Sequence, residues 1–398
     1  AYKLGDEVTV TATTNEGYTW VGWYNGEELL TEEMSYTFEM PEEPAVFTAT
    51  WSTNIPYIDG DGSEAAYTGA AVEYLSALTE NRTLTEGWYL LSGTVAGDYA
   101  LTVDGEAHII LADGSDWQVS NVIVGAEDTL YIYAQSTGDA AGKLTVSGNI
   151  GGEDGAKGES GTDGSRGTMV GGIGGTGDVG GQGGDCGTVV INGGVITAAK
   201  IGGGDGGEGG QGGLGGTGGD YGGRGGNGGV GGTGGDSVLI VINGGIITAG
   251  RIGGGEGGHG GYGTVGGYGS LRNGSTGSNG NGGAGGDGGM FVFNGGTLTV
   301  TSVSGGVGGE VEGDKAKPGV DGEKIGVFYF GTEEEWRQTE LSSKVSSVRA
   351  EVYFYSETDP FEGEGAAESG NFWHIGEDGL TPVIWVKSDP GEGEEVQA

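Results

Sequence analysis

The sequence predicts an all-β protein: a parallel β solenoid carrying glycine-rich inserts in polyglycine-II helices and flanked by small β modules. Three observations predict it. Asn192, Asn243 and Asn294 each open an Asn-Gly-Gly turn and lie 51 residues apart. Ile150, Ile201, Ile252 and Val303 keep the same 51-residue period on the following strand, as do Thr197, Thr248 and Thr299. Between these short strands run inserts with glycine at every third position. A fixed period stacks like side chains on successive coils, which is how a solenoid buries a core that no single repeat could form alone.

Composition narrows the function classes. Of 398 residues, 99 are glycine and only 34% are hydrophobic, so the length overstates the core. The 57 acidic residues against 16 basic ones leave a net charge of −41, which repels phosphate and anionic lipid and speaks against nucleic-acid or membrane-surface partners. The lone Cys186 has no partner for an internal disulfide, and no Cys/His set has zinc spacing. No leader opens the chain, and no apolar run approaches the roughly 20 residues of a membrane span. The chain therefore reads as an internal piece of a longer protein, with no membrane insertion in this segment.

Residues 1–52 alternate apolar and polar, as in Val8-Thr9-Val10-Thr11-Ala12 and Tyr36-Thr37-Phe38-Glu39-Met40, around turn residues such as Asn25-Gly26. The run GDEVTVTATTNEGYTWVGWYNGEEL, followed by SYTFEMPEEPAVFTATW, resembles the divergent internalin-type B-repeats of Gram-positive surface proteins. That resemblance implies an extracellular stalk module.

Residues 53–150 hold strands such as Ala107-His108-Ile109-Ile110-Leu111 and Leu130-Tyr131-Ile132-Tyr133, spaced as opening coils of a solenoid. With the I-N-G-G-x-[IV]-T-A motif that follows, the stretch over 80–310 resembles a family of bacterial surface β-helix proteins. Residues 321–398 return to ordinary composition. There GTEEEW, VYFYSETDP and GNFWHIGEDGLTPVIW resemble a C-terminal module of clostridial surface proteins with leucine-rich repeats, which again implies a surface building block.

Residues 151–320 hold the repeats and their inserts. The triplet phase of each insert slips once, near Val170, at Tyr221 and at Arg272, again 51 apart. Disordered linkers drift in length and phase, because loop closure costs little more as a loop grows. These do not drift. Period three suits extended helices of about three residues per turn and about 3.1 Å per residue, packed side by side. Glycine lets the backbones meet, and the slip marks where a limb turns back. Limbs of about 16 residues then project about 50 Å. A collagen-like trimer is the runner-up for Gly152–Arg166, but that run is short and contains no proline.

Several constellations are candidate sites. Asp185, Asp236 and Asp287 share the register before each strand; Asp154, Asp205 and Glu256 share it after. Stacked carboxylates repel, so each column needs donors or a cation. Either each acid caps its local turn through backbone N–H groups, or the columns hold Ca²⁺. Lys200 and Arg251 stack in register and read as solvated residues balancing the acids. In the third insert His259, Tyr262, Val265, Tyr268 and Leu271 fall every third residue, giving an apolar and aromatic edge for a sugar or protein partner, unless the C-terminal module covers it. Of the eight tryptophans, Trp20, Trp23, Trp51, Trp373 and Trp385 read as core of the terminal modules. Cys186 has no paired His, so a nucleophile is not expected.

The expected function is that of a non-enzymatic, extracellular adhesin on a Gram-positive gut bacterium, binding host glycoprotein, immunoglobulin or glycan through a rigid glycine platform. It needs no cofactor, with Ca²⁺ as the one candidate. A polysaccharide-active β-helix enzyme and a purely structural spacer are the alternatives.

Overall fold

The computed structural model describes residues 3–13, 18–26, 28–41, 46–69, 72–312, 316–345, 348–362 and 366–387. Its centre is one 18-stranded sheet in which all pairings but the last are parallel, wound into a solenoid. Its longer strands, such as Ala100–Leu111 and Lys143–Gly151, carry a register shift where they bend from one wall to the next.

Three strand columns form the walls. The first runs through Cys186–Ile191, Ser237–Ile242 and Met290–Phe293, with Ile191 beside Ile242 and Ile242 beside Phe293. The second and third are the two halves of Val195–Gly202, Ile246–Gly253 and Thr297–Ser304, which a register shift bends between them in the preceding coil. Ile150, Ile201, Ile252 and Val303 are paired in a continuous row and fully buried, as the period predicted. Alternation explains the rest: along each strand one side chain enters the core and the next faces out. Ile196 and Ile247 are fully buried while Thr197 and Thr248 between them and the next core residue are exposed.

At the corner after the first wall stands the asparagine ladder. Asn243 Nδ2 donates to Asn192 Oδ1 at 2.7 Å, and Asn294 Nδ2 donates to Asn243 Oδ1 at 2.6 Å. Gly194, Gly245 and Gly296 complete these turns at φ of 92°, 91° and 87°, which side-chain-bearing residues rarely adopt.

The outer face of the first wall is covered from both ends. The antiparallel hairpin Ile55–Ile58 with Glu64–Tyr67 lays Tyr57 and Tyr67 on an aromatic stack of Trp88, His108 and Tyr131, with ring centroids 4.3 and 4.6 Å apart along the stack. Toward the other end Trp373, 1% exposed, packs on Phe328 and Val292. The strands Ile325–Tyr329, Ala350–Tyr355 and Phe372–Ile375 extend the first wall in parallel rather than forming a separate sheet. A six-residue helix, Glu333–Gln338, capped by a reciprocal Thr332–Glu335 box, sets Trp336 into the core at that end.

The N-terminal segment forms two small antiparallel sheets. Glu7–Thr11 pairs with Ser35–Glu39, and Tyr18–Asn25 lies between Glu28–Thr31 and Thr48–Thr53. Trp20 meets Trp23 and Trp51 edge to face, which makes the tryptophans a core cluster.

Candidate functional site

The glycine-rich inserts form a slab of extended limbs projecting from the solenoid. Each insert runs out and returns. On the outbound side Gly155, Gly158, Gly161, Gly164 and Gly167 donate to the carbonyls of Asp205, Glu208, Gln211, Leu214 and Thr217 one coil on, at 2.7–2.9 Å. The return side repeats this from Gly171 to Gly183. Outbound and return limbs also bond to each other, as Gly226 N–H does to Gly213 O and Gly213 N–H to Gly175 O, both at 2.8 Å. The limbs turn back at Val170, Tyr221 and Arg272, which are bridged in parallel across the coils, where the phase slips.

Glycine content follows the number of neighbours. The outbound limb of the second insert touches four limbs, through Asp205, Gly206 and Gly204 contacts on every side, and carries two glycines per triplet. A Cβ on Gly210 would lie 1.8 Å from Glu159 O, and one on Gly226 1.8 Å from Gly175 O. The first outbound limb is the outermost of the slab and touches only two. One glycine per triplet suffices there, which is why Gly152–Arg166 reads like collagen without being it.

A fourth, shorter insert lies on the third and was not apparent in the sequence. Its outbound side keeps the 51-residue offset, His259 to Glu310, but its return side pairs at 36, Asn281 to Lys317, so it is 15 residues shorter (51 − 36). Its only forewarning is Gly-Gly spacing at 305–309. Toward the tip Thr264, Thr276 and Asn279 replace Gly213, Gly225 and Gly228 of the second insert, and Asn279 Nδ2 donates to Glu312 O where the fourth insert ends its outbound run.

The acidic columns are placed differently from the expectation of local turn caps. Each side chain accepts from the next coil instead: Asp236 N–H donates to Asp185 Oδ1 at 2.9 Å, Asp287 N–H to Asp236 Oδ1 at 2.8 Å and Glu323 N–H to Asp287 Oδ1 at 2.7 Å. Leu214 on Asp163 and Ser278 on Asn227 repeat the device. At these positions the third residue of the triplet has an N–H that no neighbouring carbonyl meets, and a short acceptor side chain one coil below supplies the partner.

Asp154 and Asp205 follow the same rule at the base of the slab, accepting from the N–H groups of Asp205 and Glu256 at 2.7 Å, and two cations lie among the three acids. Lys200 Nζ is 3.0 Å from Asp154 Oδ1 and 2.9 Å from Asp205 Oδ1; Arg251 pairs with both Asp205 and Glu256. Lys200 is 4% exposed and the Arg251 side chain 13%, so they are not solvated as expected. The tapering corner closes over their stems, and the carboxylates outside neutralise them. Partial burial raises the Asp154 carboxyl, but the Asp205 N–H and the Lys200 ammonium outweigh it and hold it below the usual carboxylate range. Oxygens already facing an ammonium and a guanidinium do not fit a Ca²⁺ ion at this column. Among the described residues no three His, Cys, Asp or Glu side chains converge to hold a metal.

The stripe of the third insert lies on the outbound face in one row per triplet. Tyr262, Val265, Tyr268 and Leu271 are 47, 60, 75 and 69% exposed, so the C-terminal strands do not cover them. His259, also exposed, accepts through Nδ1 from Glu310 N–H at 3.2 Å and stands over the Lys157–Glu208 pair. Leu214 of the second insert adjoins Val265 in the stack and widens the apolar edge. Cys186 is fully buried, and burial pushes its thiol up to about 12. No helix of the described residues is long and apolar enough to cross a membrane.

Comparison with known proteins bears on the N-terminal part. Residues 1–55 match the divergent InlB B-repeat domain family, in accord with the resemblance read from GYTWVGW and its flanking strands. No curated protein matches the chain. Among solved structures, the nine polyproline type II helical bundle antifreeze protein of the springtail Granisotoma rainieri is similar at 25% identity, covering 46% of this chain and 97% of its own, with a TM-score of 0.11.

Proposed function

We propose that this chain is a non-enzymatic, extracellular binding segment of a bacterial surface protein, in which the polyglycine-II slab displays contact residues at a distance from the solenoid. The observation that carries it is the exposed row Tyr262, Val265, Tyr268 and Leu271 on a backbone fixed by hydrogen bonds at every turn. A stripe held this rigidly loses little entropy on binding, which suits a flat partner such as a glycan or a host glycoprotein, immunoglobulin included. The B-repeat family match supports a surface setting, and a Gram-positive gut bacterium is the proposed source. The solenoid serves as scaffold, and no metal takes part.

A glycan array combined with pulldown from host secretions tests this. Binding that falls at least tenfold in Tyr262→Ala/Tyr268→Ala supports it. Whole-cell adhesion indifferent to both substitutions would favour a spacer, and sugar release from a polysaccharide panel would favour an enzyme.

A further inference from the structure

We propose that the distal end of the slab, on its return face, binds an oxyanion carried by a polysaccharide, between Arg224 and Arg272 and against Tyr221. This deepens the ligand-binding reading above, and rests on it, at residues distinct from the outbound stripe.

Charge is the first observation. In a chain with 57 acidic and 16 basic residues, a guanidinium has many carboxylates to find. The described cationic pairs use Arg82, Lys157, Lys200, Arg251, Arg337 and Arg349. Among the described residues Arg224 bonds through its side chain to Asn227 Oδ1 at 2.9 Å and Arg272 makes no ion pair. Asp220, next to Tyr221 in sequence, is in none of the ion pairs among the described residues.

Shape is the second. Tyr221, Arg224, Arg272, Asn273 and Ser275 line a cleft of about 320 Å³. Tyr221 and Arg272 are bridged across one coil, about 4.8 Å apart by strand-type spacing. Arg224 lies one triplet down the same limb as Tyr221, about 9.3 Å along it. Two forked donors thus flank one exposed phenol ring. Guanidinium forks match sulfate and carboxylate oxygens in pairs, and an aromatic face beside them suits the apolar face of a sugar ring.

Screening decides whether the acidic remainder of the molecule prevents this. At physiological salt the Debye length is about 8 Å. The base acid Asp236 lies 12 residues down the limb from Arg224, about 37 Å away. Asp178 on the neighbouring return limb is nearer, yet still about 15 Å along the slab. Asp163, whose carboxylate accepts from Leu214 N–H, is level with Arg224 but on the outbound side of the slab, so the field on the return face of the tip is set chiefly by the two arginines and Asp220.

The test uses the intact chain in 0.15 M salt with three probes: dextran sulfate, carboxymethyl dextran and unmodified dextran. Binding of either anionic polymer but not of dextran is expected, and the arm that binds tells sulfate from carboxylate. Arg224→Gln/Arg272→Gln should weaken it at least tenfold with the melting temperature unchanged, since both side chains lie on the surface. Tyr262→Ala/Tyr268→Ala, on the opposite face, should leave it intact. Equal binding by the arginine variant, or binding of neither anionic polymer, overturns the inference. Should host-secretion binding then persist and depend on Tyr262 and Tyr268, the adhesin reading stands without it.

Discussion

The Lys200 ammonium sits 3.0 Å from Asp154 Oδ1 and 2.9 Å from Asp205 Oδ1, so one buried cation ties two coils where slab and solenoid meet. Asp154→Ala would leave it with a single carboxylate. Removing one partner of a buried pair costs more than the pair contributes, and since the carboxylates are half-exposed a loss of about 1–3 kcal/mol is expected in denaturant unfolding. An unchanged midpoint would show that solvent compensates Lys200.

Acid should reveal the same site. Because Asp154 titrates below its ordinary range, its contribution is present above that range and lost as pH falls through the depressed folded value. The difference in melting temperature between the parent and Asp154→Asn should be constant from about pH 7 to 5 and shrink below about pH 4.

Packing of the slab predicts a sharp contrast between neighbouring positions. Gly226→Ala puts a methyl group 1.8 Å from the Gly175 carbonyl, whereas Val230→Ala, four residues on, trims a side chain that points outward. Overpacking of this kind costs about 1–3 kcal/mol, and a contact with backbone that cannot swing away puts Gly226→Ala at the upper end. Hydrogen exchange of the insert amides should accelerate in the first variant and stay slow in the second; uniformly fast exchange in the parent would deny the slab.

Removal of divalent cations gives a further check. The acid columns are compensated by N–H donors, Lys200 and Arg251, so EDTA should leave the melting temperature unchanged. A marked drop would assign Ca²⁺ to the Asp185, Asp236 and Asp287 column.

The thiol of Cys186 offers a clean probe of global opening. Fully buried and pushed up to about 12, it should not react with a thiol reagent at pH 8 until the solenoid unfolds, and then at the rate of unfolding. Immediate stoichiometric labelling of the native chain would contradict the packing of that strand.

Much of this architecture was legible because it repeats. The asparagine ladder, the Ile150 row and the phase slips could be read from spacing, since identical coils demand identical residues at each corner. The fourth insert escaped because losing 15 residues breaks the period. Burial of Lys200 and Arg251 escaped for another reason: in sequence a basic residue beside a glycine turn looks the same whether the corner closes over its stem or not. The direction of the Asp185 bonds was hidden too, because an aspartate accepting from its own turn and one accepting from the next coil have the same local sequence. The tip cluster went unnoticed because Tyr221, Arg224 and Arg272 come from two inserts and share no run.

Chain order alone thus settled the 51-residue coil, the triplet backbone and the all-β class, since each rests on main-chain bonds that recur at fixed offsets and need only glycine or asparagine where they do. Which faces remained open was a matter of three-dimensional packing. Whether a limb has two neighbours or four, whether Tyr268 is covered, and which arginines meet depend on distances between coils, and side chains brought together across coils leave no mark on either segment by itself.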